Sequence, residues 1–201
     1  MHLENSKFCA IDIETTGLDT KKDEIIAFAC VPIVNLKILV HDSFYAMLNP
    51  KKYKIDAMKY HGISKDNLKT APTFAQVAGT IWQALEGILV GYCVEWDYTF
   101  LRRQLKSVGV NLKRDVVDIA MVEKWLAGRR RIENVDLRFE AMMKAYGLEQ
   151  YYRHNAAADA FFAAQIFQIQ MRKLLTFGVE SAEEVIQLAK QRMDVDHTFG
   201  F

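Results

Sequence analysis

Apolar residues follow two rhythms along this chain. Residues 7–14, 25–33 and 36–47 are short runs rich in Ile, Val, Phe and Ala, and the link between the first two, "TTGLDTKKDE", is polar and contains glycine. Short apolar runs bounded by turn-forming residues predict strands, and a polar, glycine-containing link predicts a hairpin loop. The chain is therefore expected to open as three antiparallel strands. From residue 73 the rhythm changes. Phe74, Val77, Ala78, Ile81, Trp82 and Leu85 recur at helical spacing behind a Thr73 to Gln76 capping box.

The run "ILVGYC", residues 88–93, has the length of a buried strand, and Phe100, Leu101, Leu105 and Val108 after it predict a helix. That order places Asp97 near the C-terminal end of a strand. A short strand over 116–120 and helices over 120–127, 135–146, 155–175 and 181–192 complete the pattern, the last opened by a Ser181 to Glu184 capping box. Early hairpins followed by strand and helix alternation predict an α/β fold, a mixed sheet with helices on both faces. Ligands on such sheets bind beyond the strand ends.

Composition narrows the class. The 201 residues are 51% apolar and 25% charged, with 10 Gly and 3 Pro, as expected of one sizeable core, so a single domain over 1–201 is the reading, with its core in 7–175 and a C-terminal helix at 181–192. Lys plus Arg number 26 against 25 for Asp plus Glu. A nucleic-acid partner would then be held by local basic clusters, for which "KKYK", 51–54, and "GRRRIE", 128–133, beside Trp125 are candidates. Cys9, Cys30 and Cys93 show no CxxC spacing, which predicts reduced core thiols in a cytoplasmic protein and no zinc site. No apolar run reaches the ~18 residues of a spanning helix, and "MHLENSKF" lacks the form of a secretory leader, so no membrane partner is expected.

Candidate chemistry begins in "FCAIDIETTGL", residues 8–18. Side chains of a strand alternate faces, so Asp12 and Glu14 project together, and two like charges held that close need a proton or a cation between them. Asp97, in "GYCVEWDYTFL", and His154 with Asp159, in "RHNAAADAF", follow later. Each alone is ordinarily a helix cap or a surface residue. Together they form an ordered set: an acid pair on the first strand, an acid after a later strand, and a His five residues ahead of an acid on a late helix.

This set resembles that of the DnaQ-like 3′–5′ exonucleases, in the DEDDh branch, over roughly residues 7–175; "DIETTGL" is close to the family's first motif and "HNAAADA" fits its last. The stretch "YHGISKDNLKTAPTF", 60–74, is similar to polymerase epsilon-type proofreading members. The resemblance implies a ribonuclease H-like mixed five-stranded sheet flanked by helices. It also implies two Mg²⁺ or Mn²⁺ ions held by Asp12, Glu14, Asp97 and Asp159, with His154 as general base. All-oxygen ligands suit those hard cations, and an imidazole titrates near neutrality. Thr15, Thr16, Gly17 and Leu18 would contact the terminal nucleotide, and His61 and Trp96 would line its cleft. The second motif departs from the commonest form, with Tyr92-Cys93 where relatives often carry His-Asn and Trp96 where they carry Phe.

The expected activity is release of nucleoside 5′-monophosphates from a single-stranded 3′ end, DNA ahead of RNA, with a DNA polymerase or a second copy of the chain as partner. Two other readings compete. A haloacid-dehalogenase-like phosphatase also opens on an apolar strand with paired acids, but wants Asp where Glu14 stands and leaves the His and acid of the last motif unused. A catalytically silent polymerase-binding module has no physical need to keep a repulsive acid cluster.

Overall fold

Strand β1 (Lys7–Thr15) occupies the middle of the sheet and is buried on both faces. It pairs antiparallel with β2 (Ile25–Val34), which in turn pairs antiparallel with β3 (Lys37–Ile38) and β4 (Phe44–Met47). On its other side β1 runs parallel to β5 (Ile88–Gly91), and β5 runs parallel to β6 (Val116–Asp118). The computed structural model describes residues 1–148 and 154–190. The expected mixed sheet is therefore present, with the strand anticipated over 36–47 divided in two. Asn35 and Leu36 take left-handed conformations at the hairpin turn, and Val40–Asp42 forms a 3-10 turn where the polar "HDS" cannot continue an apolar strand.

Eight helices accompany these strands among the described residues: α1 (Met58–His61), α2 (Lys65–Leu68), α3 (Phe74–Ala84), α4 (Val94–Ser107), α5 (Ile119–Arg129), α6 (Phe139–Ala145), α7 (Ala156–Thr176) and α8 (Ala182–Ala189). The two expected capping boxes open α3 and α8, with Gln76 Oε1 accepting from the Thr73 amide at 2.8 Å and Glu184 Oε2 from the Ser181 amide at 2.9 Å. Residues 191–192 of the helix expected to end the chain lie outside the described residues.

Two apolar clusters cover the sheet faces. Cys9, Ile11 and Ile13 of β1 face Ala78, Ile81, Phe100, Leu101 and Leu105 of α3 and α4. Phe8 and Ala10 face the other way, onto α5, α6 and α7, where the Phe8 and Phe167 rings meet edge to face at 5.0 Å. The alternation that buries Phe8 and Ala10 under α7 carries Asp12 and Glu14 to the same face, two and four residues farther on. Of the stripe residues Trp82 and Phe100, Phe100 is fully buried, and Trp82 packs at the core's edge with the Arg114 guanidinium 4.9 Å over its ring.

Candidate active site

Helix α7 approaches β1 closely because its inner stripe is small. Ala156, Ala160, Ala163 and Ala164 are buried against the sheet, and Asp159, only 5% exposed, lies on the same stripe. One carboxylate oxygen from each of Asp12, Glu14 and Asp159 falls within 4.8 Å of the others. The acid in the first turn of α7 also meets the positive end of the helix dipole. These donors are all carboxylate oxygens, with no thiolate or imidazole among them, and such a set fits a hard, oxygen-preferring cation.

His154 stands just ahead of α7, where Asn155 caps the helix by accepting from the Ala158 amide at 3.1 Å. The His154 amide donates to Asp159 Oδ2 at 3.0 Å, so the expected base is tied through its own backbone to an acid of the cluster. Its φ of 57° is left-handed, a conformation few side-chain-bearing residues adopt. The Tyr60 ring lies edge-on to its imidazole, centroids 6.5 Å apart.

Asp97 is placed differently from the sequence expectation. Strand β5 stops at Gly91, Cys93 takes a left-handed N-cap position, and Asp97 lies in the first turn of α4, not at a strand end. β1 runs beyond the end of β5, so the Ile13 amide has no strand partner on that side, and Asp97 Oδ1 accepts from it at 3.1 Å. The structure thus groups Asp12, Glu14 and Asp159 as possible common ligands and sets Asp97, 4% exposed, beside them. Burial pushes the Asp97 carboxyl well above the usual aspartate value, and the negative charges of Glu14 and Asp118 push the same way against the bonds from backbone amides.

That shift has a testable sign. A folded-state value above the unfolded one means that the native protein holds a proton the unfolded chain releases from about pH 4 upward, so stability falls as pH rises through that window. In chelator, the melting temperature is expected to decline from pH 4 upward, to recover on addition of Mg²⁺, and to decline less in Asp97→Asn. A profile in chelator that is flat for the parent chain contradicts this account.

The segment after β1 is tightly held. Thr15 Oγ1 donates to the Gly17 carbonyl at 2.8 Å, Thr16 Oγ1 donates to Asp23 Oδ1 at 3.0 Å, and Leu18 beyond them is 55% exposed. His61 accepts from the Ile63 amide at Nδ1, 2.9 Å, which leaves the proton of the neutral ring on Nε2, a buried atom with no hydrogen-bond partner among the described residues. Burial and the nearby His154 both lower the His61 pKa. Trp96 packs on Phe100, ring centroids 4.6 Å apart. Tyr92 packs on Phe139 at 5.2 Å, and the Cys93 thiol is pushed up to about 12 by burial and by Asp118 and Asp97. The departures at 92 and 93 are thus absorbed by packing toward the core.

Three contributors went unnoticed in the sequence. Tyr60 stands against His154, Asp118 adds negative charge beside Asp97, and Asp23 fastens the Gly17 turn. Only the acidic character of positions 23 and 118 was visible, and a charged residue at a loop or helix start carries no signal of its own. An open cavity of about 890 Å³, bordered by Tyr98, Arg102, Lys106 and Lys113, includes none of the expected site residues. Lys54 of the basic run 51–54 pairs with Asp23 at 2.5 Å.

Comparison with known proteins agrees with this geometry. The RNase_T family model, described as exonuclease, matches residues 9–167. The chain is 28% identical over 188 residues to a DNA polymerase III PolC-type of Caldanaerobacter subterraneus subsp. tengcongensis, covering 92% of this chain and 13% of that protein. It is 26% identical over 196 residues to a DNA polymerase III subunit epsilon of Rickettsia prowazekii, covering 92% of this chain and 83% of that one. Among solved structures, E. coli Exonuclease I in complex with a dT13 oligonucleotide superposes with a TM-score of 0.74 at 18% identity, covering 87% of this chain and 43% of that one. The chain spans about an eighth of the PolC-type relative.

Proposed function

This chain belongs to the RNase_T exonuclease family, and from that premise we propose that it hydrolyses the terminal phosphodiester of a single-stranded 3′ end, DNA by preference, releasing nucleoside 5′-monophosphates. The observation that carries the reading is the convergence of Asp12, Glu14 and Asp159, with His154 bound through its amide to Asp159. Asp12, Glu14, Asp159 and Asp97 would hold two Mg²⁺ or Mn²⁺ ions. Such ions neutralise the acid cluster and act as Lewis acids on phosphate oxygens.

The protein's own residues do the rest. Asp159 fixes the backbone of His154, whose imidazole takes the proton of the attacking water. Thr15, Thr16 and Gly17 present main chain to the terminal nucleotide, Leu18 offers an exposed apolar side chain to a base, and His61 and Trp96 border the cleft. The buried Nε2 of His61 is a donor available to a sugar or phosphate oxygen.

The names of the polymerase III relatives support a DNA substrate and association with a DNA polymerase, with a second copy of the chain as the alternative partner. A single exonuclease domain over 1–201 has its core in 7–175, with α8 packed beside α5 and β6. Unpaired thiols at Cys9, Cys30 and Cys93 support a reducing, cytoplasmic setting, and among the described residues no helix is long and apolar enough to cross a membrane.

The direct test incubates the protein with 3′-labelled and 5′-labelled single strands of DNA and of RNA, in Mg²⁺, Mn²⁺ or EDTA. The 3′ label is expected to leave first as mononucleotide, faster from DNA, with EDTA abolishing release. Initial loss of the 5′ label, internal cutting, or inorganic phosphate as product would each end the reading. Faster release from RNA would move the substrate class within it.

A further inference from the structure

We propose that Asp23 and Lys54 form a latch that positions the Thr15–Leu18 turn for the strand end, making Asp23 a positioning residue of the active site. This inference rests on the exonuclease reading above and assigns a role to residues outside its motifs.

Asp23 precedes β2 and is an acid with 2% exposure, which demands compensation. Its carboxylate receives that from three groups. Thr16 Oγ1 donates to its Oδ1 at 3.0 Å, the Asp19 amide to its Oδ2 at 3.0 Å, and the Lys54 ammonium lies 2.5 Å from Oδ1. Arg103 of α4 donates to the Asp23 carbonyl and, at 2.8 Å, to the Lys21 carbonyl. Burial opposes ionisation of the carboxyl, yet the Lys54 ammonium and the Asp19 and Thr16 donors outweigh it and hold the value below the usual one.

The contact with Gly17 shows what the network is built around. A Cβ on Gly17 would lie 2.6 Å from Asp23 Oδ2, so the turn and the carboxylate fit only because residue 17 has no side chain. Residue 17 thus rests on the acid, and Leu18, next in the chain, projects outward at 55% exposure.

The latch also joins two loops. Lys54 leads into Ile55, Met58 and Tyr60, all exposed, and Tyr60 contacts His154. Glu24, adjacent to Asp23, accepts from the Lys51 and Lys52 amides at 3.1 and 3.3 Å, so the join is doubled along the backbone. Leu18 on one loop and the 55–60 segment on the other are therefore held in a set relation. A base gripped between them would lose less ordering entropy than one closing on two independent loops.

The test is a steady-state comparison of Asp23→Asn, Lys54→Met and the double variant, with Mn²⁺ affinity and melting temperature measured in parallel. Each single variant is expected to raise KM for a single-stranded substrate about tenfold, the size of one lost charge-assisted hydrogen bond. kcat should stay within about twofold and Mn²⁺ affinity should be unchanged, because the acid cluster is not touched. The double variant should be no worse than either single one, since both break one contact. General electrostatics is separable by sign: removing an acid beside a polyanion path lowers KM, whereas breaking the latch raises it.

Lys54 is half exposed, so Lys54→Met keeps the test open if Asp23→Asn does not fold. An unchanged KM in the folded variants, an additive double variant, or a joint loss of kcat and Mn²⁺ affinity overturns the latch. A parent protein that releases no 3′ nucleotide overturns the exonuclease reading instead.

Discussion

Asp12→Asn is expected to lower the rate of nucleotide release by at least about 10²-fold, the minimum associated with losing a reacting group, with the variant still folded in chelator. Asp12 shares one small region with Glu14 and Asp159, so a cation held there would lose one of three carboxylate ligands. Replacing it with an amide of the same shape removes one charged ligand and leaves a neutral acceptor in place. Mn²⁺ affinity should fall with the rate. A variant that keeps its rate, or that loses rate only because it has unfolded in chelator, contradicts the assignment.

His154→Ala is expected to cost between about 10² and 10⁴ in kcat, the range of a lost general base. Its amide bond to Asp159 belongs to the backbone and survives the substitution, so Mn²⁺ affinity should change little. That separation of rate from metal binding distinguishes a base from a ligand. Added imidazole should restore part of the rate to His154→Ala, as it supplies the missing group. His154→Gly should lose the same activity and melt no lower than the alanine variant, because a φ of 57° suits glycine better than any side-chain-bearing residue. Retained activity in either variant would transfer the role to another group, and His61, whose pKa His154 lowers, is the neighbouring imidazole to test.

Of the five proposed site residues, Asp12, Glu14, His154 and Asp159 stand where local periodicity can be read. Asp12 and Glu14 alternate with Ile11 and Ile13, and His154 precedes an alanine-rich helical run. What periodicity missed was local and conformational. Position 97 looked like a strand end because "ILVGYC" is apolar to its last residue. In the fold, Cys93 turns left-handed and α4 starts three residues before Asp97. The run 36–47 looked like one strand because its polar interruption at 41–43 is only three residues long.

By itself the amino-acid sequence determined the order of strands and helices, the facing of Asp12 and Glu14, and the family to which the chain belongs, since all three depend on residues close together in the chain or on their order. Only the tertiary structure decided that Asp159 completes the acid group while Asp97 answers the Ile13 amide. It alone showed Asp23 bound to Lys54 beneath Gly17. These are contacts between segments far apart in sequence, set by where β5 ends, how closely an alanine stripe lets α7 approach, and which buried charge must find a partner. No local pattern encodes such distances.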